Sequence, residues 1–259
     1  MSVATIDPTA RVADGAELGE DVVIGPWCQV GSRVRLGEGT RLDSMVKIDG
    51  WTEIGARCHF HHGAVVGTPP QDLKFRGGEA RVTIGTDSVF REYSTVNRAT
   101  GEGEETRIGS HCLIMSYAHV AHNCQLGDHV ILANSVNLAG HVEVHEYAII
   151  GGVTPVHQFV KVGAHSIIGG GSRVPMDVAP YVKAAGTPLR VFGLNRIGLE
   201  RRGFSPEVRE ALRQVYRIFF RSHLLRDDAL AKIRRELPPS PEIDAFIHFV
   251  ERSERGISR

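Results

Sequence analysis

The chain has 259 residues, equal numbers of basic and acidic side chains, and only 7% aromatic residues. A balanced charge without an aromatic-interleaved basic motif argues against nucleic acid as the partner, and no run reaches the roughly 18 apolar residues of a membrane span. The first residues show neither a basic start nor an apolar stretch of signal length, so we expect a cytoplasmic protein.

The charges are unevenly distributed along the chain. Residues 1–182 hold 14 Lys and Arg against 20 Asp and Glu, whereas residues 183–259 hold 16 against 10. The C-terminal part is therefore a candidate docking face for an acidic partner. A merely solvated helical surface explains the charge equally well.

A six-residue repeat dominates the chain from Ile6 to Val174. Of the 29 positions spaced six apart in this range, 26 are Ile, Val, Leu or Phe. A second column, four residues after the first, holds small or β-branched side chains. Because helices repeat at about 3.6 residues and alternating strands at about 2, the period predicts a solenoid of short strands. All cysteines fall in the second column, which indicates small buried side chains and not a disulfide or zinc framework: Cys28, Cys58, Cys112 and Cys124.

Two segments interrupt the repeat and are predicted to be inserted loops, near residues 68–81 and 99–107. A long loop that leaves a rigid scaffold is a usual place for binding residues. Asp72 and Lys74 are the candidates in the first loop. Three histidines precede that loop and are weaker candidates for ligand contact: His59, His61 and His62.

Further histidines cluster where the repeat is unbroken. If three hexapeptides form one triangular coil, residues 18 apart stack at about 4.8 Å. That stride places His122, Gly140 and Gln158 in one column. A base, an amide N–H without a side chain and a side-chain amide form a usable catalytic strip. Three more histidines lie beside or near this column: His119, His141 and His157.

The repeat stops after Pro180, and residues 186–200 contain the Gly and Pro residues of a linker. Ser followed by Pro at 205–206 and again at 240–241 marks the start of a helix. A further helix is predicted for residues 227–237. The sequence therefore predicts a solenoid followed by a small basic helical domain.

Five runs in this chain resemble the UDP-N-acetylglucosamine O-acyltransferases of lipid A biosynthesis, a family of hexapeptide-repeat acyltransferases. The resemblance covers essentially the whole chain. The order of the motifs and the helical tail make it more specific than the repeat alone. The runs are Pro69 to Lys74, Ala118 to His122, Leu138 to His141, Val156 to Phe159, and Gly198 to Phe204.

The resemblance implies a homotrimer of left-handed parallel β-helices. With the repeat, it predicts a mainly β fold with two domains: a left-handed parallel β-helix over 1–185, and a linker with a C-terminal α-helical domain over 186–259. Handedness comes from the family, because residue spacing cannot show it.

The resemblance also implies an activity, the transfer of an (R)-3-hydroxyacyl chain from acyl carrier protein to the glucosamine 3-hydroxyl of UDP-N-acetylglucosamine. The donor is carried on the phosphopantetheine of the carrier protein, and no metal or other cofactor is expected. His122 would be the general base, the Gly140 N–H would hold the oxyanion, and His141 would assist. Residues that match sugar or acyl contacts are Asp72, Lys74, His119, His157 and Gln158, and those that match the nucleotide end are Asn195, Arg201 and Arg202.

The chain departs from the family pattern at several positions. Asn123 follows the predicted base where Asp is common, Ile197 stands where a Glu contacts the nucleotide, and Pro188 replaces a residue of the acyl groove. Ala99 stands where Gly is usual. Gly170 matches a position where a larger side chain shortens the accepted acyl chain, so the resemblance implies a longer chain.

Several alternatives remain open at this point. The acceptor could be the 3-amino analogue of the same nucleotide sugar, and the donor could be an acyl-CoA. The N-acyltransferase two steps later in the pathway fits less well, because that family carries an extra N-terminal domain and this repeat begins at Ile6. More distant alternatives are a γ-type carbonic anhydrase, with zinc held between subunits by histidines, and a non-catalytic solenoid scaffold.

Overall fold

The computed structural model describes residues 4–259, which form a prism of three β-sheets followed by four helices. Every named strand pair in the prism is parallel except the last one of sheet 1. Sheet 1 contains β1 (Thr5–Ile6), β4 (Val23–Ile24), β7 (Arg41–Leu42), β10 (His59–Phe60), β13 (Val89–Phe90), β16 (Leu113–Ile114), β19 (Ile131–Leu132), β22 (Ile149–Ile150), β25 (Ile167–Ile168), β26 (Val182–Ala185) and β27 (Arg190–Leu194). Sheet 2 contains β2 (Arg11–Val12), β5 (Gln29–Val30), β8 (Lys47–Ile48), β11 (Val65–Thr68), β14 (Thr95–Asn97), β17 (His119–Val120), β20 (Asn137–Leu138) and β23 (Pro155–Val156). Sheet 3 contains β3 (Glu17–Leu18), β6 (Val34–Leu36), β9 (Trp51–Ile54), β12 (Arg81–Ile84), β15 (Glu105–Ile108), β18 (Gln125–Leu126), β21 (Glu143–Val144) and β24 (Lys161–Val162).

The chain visits sheets 1, 2 and 3 in turn, so each coil is built from three hexapeptides. Neighbouring rungs pair 18 residues apart, as in His119 with Asn137 and Asn137 with Pro155. The offset is larger only where an inserted loop lengthens the coil, as between Val65 and Thr95. The predicted fold class, a parallel β-helix followed by a helical part, is confirmed.

Both apolar columns point into the prism. Residues of the first column, such as Ile48 and Leu132, and of the second, such as Val46 and Val130, have no exposed surface. Each such aliphatic side chain contributes roughly 1.5–3 kcal/mol when it is fully buried. The narrow interior is mostly aliphatic, and the rings of Phe60 and Phe90 stack on each other within it at 4.6 Å between centroids.

The four cysteines are buried in this interior, as predicted. Burial raises the pKa of the Cys124 thiol to about 12, and its Sγ donates to the Ala139 carbonyl oxygen at 3.2 Å. A thiol with so little thiolate at neutral pH is a poor nucleophile. Cys124 therefore has a packing role although it lies two residues from His122.

The prism has three edges, and we name each after the two sheets that it joins. Corner 2/3, where sheet 2 strands lead into sheet 3 strands, carries both inserted loops: residues 69–80 between β11 and β12, and residues 98–104 between β14 and β15. The second loop is shorter than predicted, because residues 105–107 already belong to β15 and pair with β12.

The segment predicted as a linker differs in the structure. β26 extends sheet 1 parallel to β25, and β27 then pairs with β26 in the antiparallel sense. Gly186 and Pro188, which suggested a linker, lie in the connection between these two strands. Leu189 and Val191 are buried, so this hairpin extends the apolar core toward the helices.

The helices are α1 (Arg196–Arg201), α2 (Pro206–Arg221), α3 (Arg226–Glu236) and α4 (Pro241–Glu251). The Oγ of Ser205 accepts from the N–H of Val208, and Ser240 caps α4 in the same way, which confirms the two predicted start signals. The helix α1 was not predicted. Within residues 4–259, none of the helices has the length and apolar content that crossing a membrane requires.

The helical part is fastened to the end of the prism by a buried carboxylate. Asp177 has no exposed surface, and its two oxygens accept from the Lys161 N–H at 2.7 Å and from the Ser253 hydroxyl at 2.6 Å. The Asp177 carbonyl oxygen accepts from the Ser258 N–H. The C-terminus is therefore held against the last coil.

Candidate active site

The predicted column lies at corner 2/3. His122 follows β17, Gly140 follows β20 and Gln158 follows β23, so the three residues occupy successive rungs. The His141 N–H donates to the His122 carbonyl oxygen at 3.0 Å, and the Phe159 N–H donates to that of Gly140 at 3.2 Å. The 18-residue stride therefore locates these residues correctly, while their chemical roles remain predictions.

The imidazole of His122 packs directly on the backbone of Gly140. A Cβ atom at position 140 would lie 2.4 Å from Cε1 and 2.6 Å from Nε2 of His122. Gly140 is not in the left-handed region of backbone space, so the glycine is needed for close approach and not for its φ angle. Among residues 4–259, no acceptor is found for the Gly140 N–H, which leaves it free to donate.

The two ring nitrogens of His122 differ. Nδ1 lies 2.9 Å from Oδ1 of Asn123, whereas Nε2 has no partner in the described part of the chain. The half-buried His122 ring meets the His141 ring edge-on at 5.2 Å between centroids. The nitrogen that could take a proton from a substrate is therefore Nε2.

The neighbouring histidines are held neutral. Burial, helped by the charge that His122 can carry, lowers the pKa of His119, whose Nδ1 lies 2.7 Å from the Thr95 hydroxyl. Burial and His122 also lower the pKa of His141, against the opposing charges of Glu104 and Asp72. With the imidazoles of His119 and His141 neutral, less positive charge opposes proton acceptance at the site.

The first loop brings Asp72 near enough to His141 for its charge to raise the pKa of that imidazole, against the larger lowering by burial. Asp72 Oδ1 accepts from the Lys74 N–H at 2.8 Å, and the Lys74 side chain is exposed. Both residues thus lie on the side of the prism that carries His122. They remain candidates for substrate contact.

The lower part of the column is open. His157 and Gln158 are exposed, and the only contact found for the His157 ring in residues 4–259 is Nδ1 to the Gln158 carbonyl oxygen at 3.1 Å. The Phe159 ring stacks on His141 at 4.7 Å. A groove of about 590 Å³ lies beside the column and is lined by residues that include Asn123, His141 and Phe159, but not by His122.

The chain resembles known proteins over its whole length. A family model described as UDP-N-acetylglucosamine O-acyltransferase, domain 2, matches residues 177–258, and one described as bacterial transferase hexapeptide (six repeats) matches residues 105–140. The "Acyl-[acyl-carrier-protein]--UDP-N-acetylglucosamine O-acyltransferase" of Trichlorobacter lovleyi is 51% identical over 259 residues, covering 98% of this chain and 99% of that one. The protein of the same name from Syntrophobacter fumaroxidans is 47% identical over 256 residues, again covering 98% and 99%. The chain belongs to the UDP-N-acetylglucosamine O-acyltransferase family.

Solved structures of the family have the same fold. The UDP-N-acetylglucosamine acyltransferase of Bacteroides fragilis is 39% identical, with a TM-score of 0.96 and coverage of 98% of this chain and 100% of that one. The enzyme of Acinetobacter baumannii is 40% identical, with a TM-score of 0.85 and coverage of 100% and 99%. The acyltransferase resemblance drawn from the motifs is therefore confirmed.

The residues predicted for the nucleotide end lie elsewhere on this acyltransferase. Arg202 belongs to corner 3/1, where its guanidinium lies over the Tyr147 ring at 4.9 Å and donates to the Tyr147 carbonyl oxygen. Asn195 is 8% exposed and caps α1, and its Nδ2 donates to the His165 carbonyl oxygen. Arg201 is exposed. One chain therefore does not bring these three residues together with His122.

Two further sets also lie away from corner 2/3. Gly170 follows β25 at the edge between sheets 1 and 2, where an added Cβ would lie 3.1 Å from the Gly152 carbonyl oxygen. His59 and His61 lie on the outer face of sheet 1, where both contact the carboxylate of Asp43 at 2.8 and 3.1 Å. His62 pairs with the Ser44 hydroxyl: the two atoms are 2.8 Å apart.

Sequence reasoning missed the side chains that support the acyltransferase site. Thr100 and Glu104 of the second loop and Thr106 of β15 all bond to Asn123. The sequence showed only a polar insertion near His122, and a loop of unknown conformation gives no spacing from which to predict a contact. Asn195 could have been recognised as a helix cap, because asparagine is one of the residues favoured at that position.

Proposed function

We propose that this acyltransferase transfers an (R)-3-hydroxyacyl chain from acyl carrier protein to the 3-hydroxyl of UDP-N-acetylglucosamine, with His122 as the general base. The single observation that carries the proposal is the stacking of the His122 ring on Gly140, with Nε2 and the Gly140 N–H both unpaired within the described chain. A proton acceptor and an oxyanion donor thus lie one rung apart. The relatives' printed names supply the donor and acceptor.

The reaction is a direct acyl transfer. Nε2 of His122 takes the proton of the sugar hydroxyl while its oxygen forms a bond to the thioester carbonyl carbon. The carbonyl oxygen becomes an anion that accepts from the Gly140 N–H. The intermediate then breaks its C–S bond, and the departing thiolate recovers the proton from the His122 imidazolium.

This chemistry needs no covalent enzyme intermediate. A thioester is already activated, a positioned base contributes roughly 10²–10⁴-fold and one oxyanion donor roughly 10²–10³-fold. Burial keeps His119 and His141 neutral, which keeps positive charge away from a base that must accept a proton. His141 then assists as an uncharged hydrogen-bond partner, and Asp72, Lys74, His157 and Gln158 contact the sugar or acyl chain.

The acyl carrier protein docks on the helical part. Arg213, Arg217 and Arg221 follow one another at four-residue spacing on α2 and are exposed. Residues at this spacing share one face of a helix, so they form a basic stripe. Such a stripe attracts an acidic carrier and speeds encounter at low ionic strength.

A homotrimer completes the site. Asn195, Arg201 and Arg202 lie at corner 3/1 and His122 at corner 2/3, so a substrate that meets both sets spans two protomers. The outer face of sheet 1 supplies an apolar surface for such contacts through half-buried Leu113, Ile131, Ile149 and Ile167. Light scattering that gave a fully active 28.3 kDa monomer would contradict this arrangement.

Gly170 leaves space for a long acyl chain. The absence of a side chain there keeps the edge between sheets 1 and 2 open, and a bulky residue would fill it. Carrier substrates of graded acyl length test this point. Preference for the shortest would overturn it.

The decisive experiment compares the wild-type chain with His122→Ala and with His129→Phe. His129 is a histidine of the same prism at corner 3/1, where its ring stacks on that of Tyr147, and phenylalanine keeps that stack. With hydroxyacyl carrier protein and UDP-N-acetylglucosamine, His122→Ala should lower kcat at least about 10²-fold. His129→Phe should stay within twofold of wild type. Near-normal turnover by His122→Ala would show that another group is the base, and faster acylation of the 3-amino sugar would change the acceptor.

A further inference from the structure

The Asn123 side chain connects His122 to a carboxylate of the second loop. Its Oδ1 lies 2.9 Å from His122 Nδ1, and its Nδ2 donates to Glu104 Oε2 at 2.7 Å. We propose that Glu104 is a positioning residue that acts through the Asn123 amide to hold His122 in the tautomer with its hydrogen on Nδ1. The inference rests on the proposed role of His122 as the base.

The orientation of the amide is determined by its neighbours. A backbone N–H can only donate, and a carboxylate can only accept. Thr100 N–H donates to Asn123 Oδ1 at 3.2 Å, while Glu104 accepts on the opposite side. Rotating the amide by half a turn would place two donors together at Thr100 and two acceptors together at Glu104.

The tautomer of His122 follows from that orientation. Because the atom of Asn123 that faces Nδ1 is an acceptor, Nδ1 must carry the hydrogen. The lone pair is then on Nε2, the nitrogen that packs on Gly140 and faces no protein acceptor in residues 4–259. The reversed amide would present a donor to Nδ1 and place the hydrogen on Nε2, where a base cannot use it.

Backbone conformation does not explain the choice of asparagine. Asn123 has φ of 62°, but the residues at the same place on the next two rungs, His141 and Phe159, have φ of 60° and 63°. Histidine and phenylalanine are thus accommodated in this conformation. The side-chain bonds of Asn123, and not its tolerance of positive φ, distinguish it from its neighbours.

The second loop is built to deliver the carboxylate. Glu104 Oε2 also accepts from the Gly101 N–H at 2.9 Å, and the Glu104 N–H donates to the Gly101 carbonyl oxygen at 3.1 Å. A Cβ at position 101 would lie 2.5 Å from the Glu104 carboxyl carbon. Gly101 therefore lets the loop turn tightly enough to point Glu104 at Asn123.

The contact between Asn123 and Glu104 also explains how the chain can have Asn at position 123, where the family commonly has Asp. Where the family commonly has an Asp beside the base, this chain has the Asn123 amide. The carboxylate of Glu104 is hydrogen-bonded to that amide and does not touch the imidazole. The neutral Asn123 touches the imidazole of His122, and the negative charge of Glu104 determines how the Asn123 amide is oriented. The role of the missing carboxylate is thus divided between Asn123 and Glu104.

The test compares Glu104→Ala with Glu102→Ala in the full-length protein. Glu102 lies in the same loop and bonds to the Glu79 N–H, away from His122, so it controls for loop damage. Glu104→Ala should lower kcat about three- to tenfold, the size of the net contribution of one hydrogen bond, with KM for the nucleotide sugar unchanged. Glu102→Ala should stay within twofold of wild type.

A second variant exchanges the two groups. In Glu104→Gln with Asn123→Asp, the new carboxylate touches Nδ1 directly and the new amide donates to it. That amide nitrogen no longer accepts from the Gly101 N–H, so kcat should recover only partly, to above that of Glu104→Ala. Because a carboxylate beside the ring favours the imidazolium, the acid limb of the pH profile of kcat/KM should move to higher pH. The single change Asn123→Asp, which places two carboxylates together, should remain impaired.

Nitrogen-15 NMR of labelled histidine reads the tautomer without turnover. Wild type should show the His122 hydrogen on Nδ1, and Glu104→Ala should show a share of it on Nε2. Unchanged tautomer and unchanged kcat in Glu104→Ala would overturn the inference while leaving His122→Ala inactive. Normal turnover by His122→Ala would instead show that His122 is not the base. The NMR comparison would even then show whether Glu104 fixes the tautomer of the His122 ring.

Discussion

Corners 2/3 and 3/1 of the prism each carry a column of residues in the left-handed region, but the two columns differ in their side chains and in what surrounds them. At corner 3/1, five rings in the left-handed region stack along the edge with centroid separations of 4.8, 4.4, 4.9 and 5.8 Å, and we call them the ring ladder: His111, His129, Tyr147, His165 and Tyr181. At corner 2/3 the left-handed column is Asn123, His141 and Phe159, and only its last two members stack as rings. The adjacent column leaves a gap at Gly140, beneath the His122 imidazole, and the two inserted loops lie at the same corner. A continuous column of rings stabilises an edge, whereas the gap at Gly140 in the adjacent column leaves Nε2 of His122 free for chemistry.

The contrast predicts that closing the gap at corner 2/3 stops turnover without unfolding the chain. In Gly140→Ala, the new methyl group would displace the His122 ring, which lies within 2.6 Å of its position. A misplacement of about 1 Å costs on the order of 10²-fold in rate, so kcat should fall by about that factor. Gly193→Ala is the control, because a Cβ there meets nothing within 4 Å. Wild-type kcat in Gly140→Ala would show that the close approach has no catalytic purpose.

Removing a ring from the ring ladder should lower the stability of the fold and leave turnover nearly unchanged. Tyr147 stacks between His129 and His165 and supports the Arg202 guanidinium, so Tyr147→Ala removes packing on three sides. We expect a loss of about 2 kcal/mol in the free energy of unfolding, below the range for a fully buried ring because Tyr147 is half-buried. Urea denaturation at fixed protein concentration measures it.

The matched control for that change is Tyr147→Phe, which keeps the ring and should lose less than about 0.5 kcal/mol. The kcat of both variants at saturating substrate should remain near wild type, because the ladder does not touch His122. If Tyr147→Ala lowered kcat at saturating substrate as strongly as Gly140→Ala, the ring ladder would contribute to the chemical step and not only to stability.

The period of six was enough to predict the solenoid, because only stacked short strands place every sixth side chain inward. The stride of 18 then located His122, Gly140 and Gln158 on one edge. The same stride also groups His111, His129 and His165 on another edge, a column that the sequence-based predictions did not use. It could not show which set faces a gap, since that depends on rings and loops that the spacing does not describe.

Other features of the site required coordinates. The contact between Glu104 and Asn123 depends on the turn of the second loop at Gly101, and a polar insertion in the sequence does not specify a turn. The hairpin of β26 and β27 was predicted as a linker, because Gly186 and Pro188 are typical both of linkers and of the turn that joins two strands. The nucleotide-end residues were found by resemblance, and only the structure shows that they lie on a different corner from the base.

The smallest expected effect concerns the pH dependence of stability at corner 3/1. Burial and then the charge of Arg202 lower the pKa of His165 to about 4, and the ring nitrogen Nδ1 is buried without a partner in the described chain. An unfolded histidine has a pKa near 6.5, so as pH falls below that value the unfolded chain takes up a proton that the folded chain refuses. The contribution of neutral His165 to the free energy of unfolding is complete above pH 6.5 and is lost progressively toward pH 4. His165→Phe keeps a ring on Tyr147 and removes the titration, so its free energy of unfolding should fall less than that of wild type between pH 7 and pH 5. Equal slopes for the two proteins, measured by urea denaturation at the same concentration, would show that the ladder tolerates a charge.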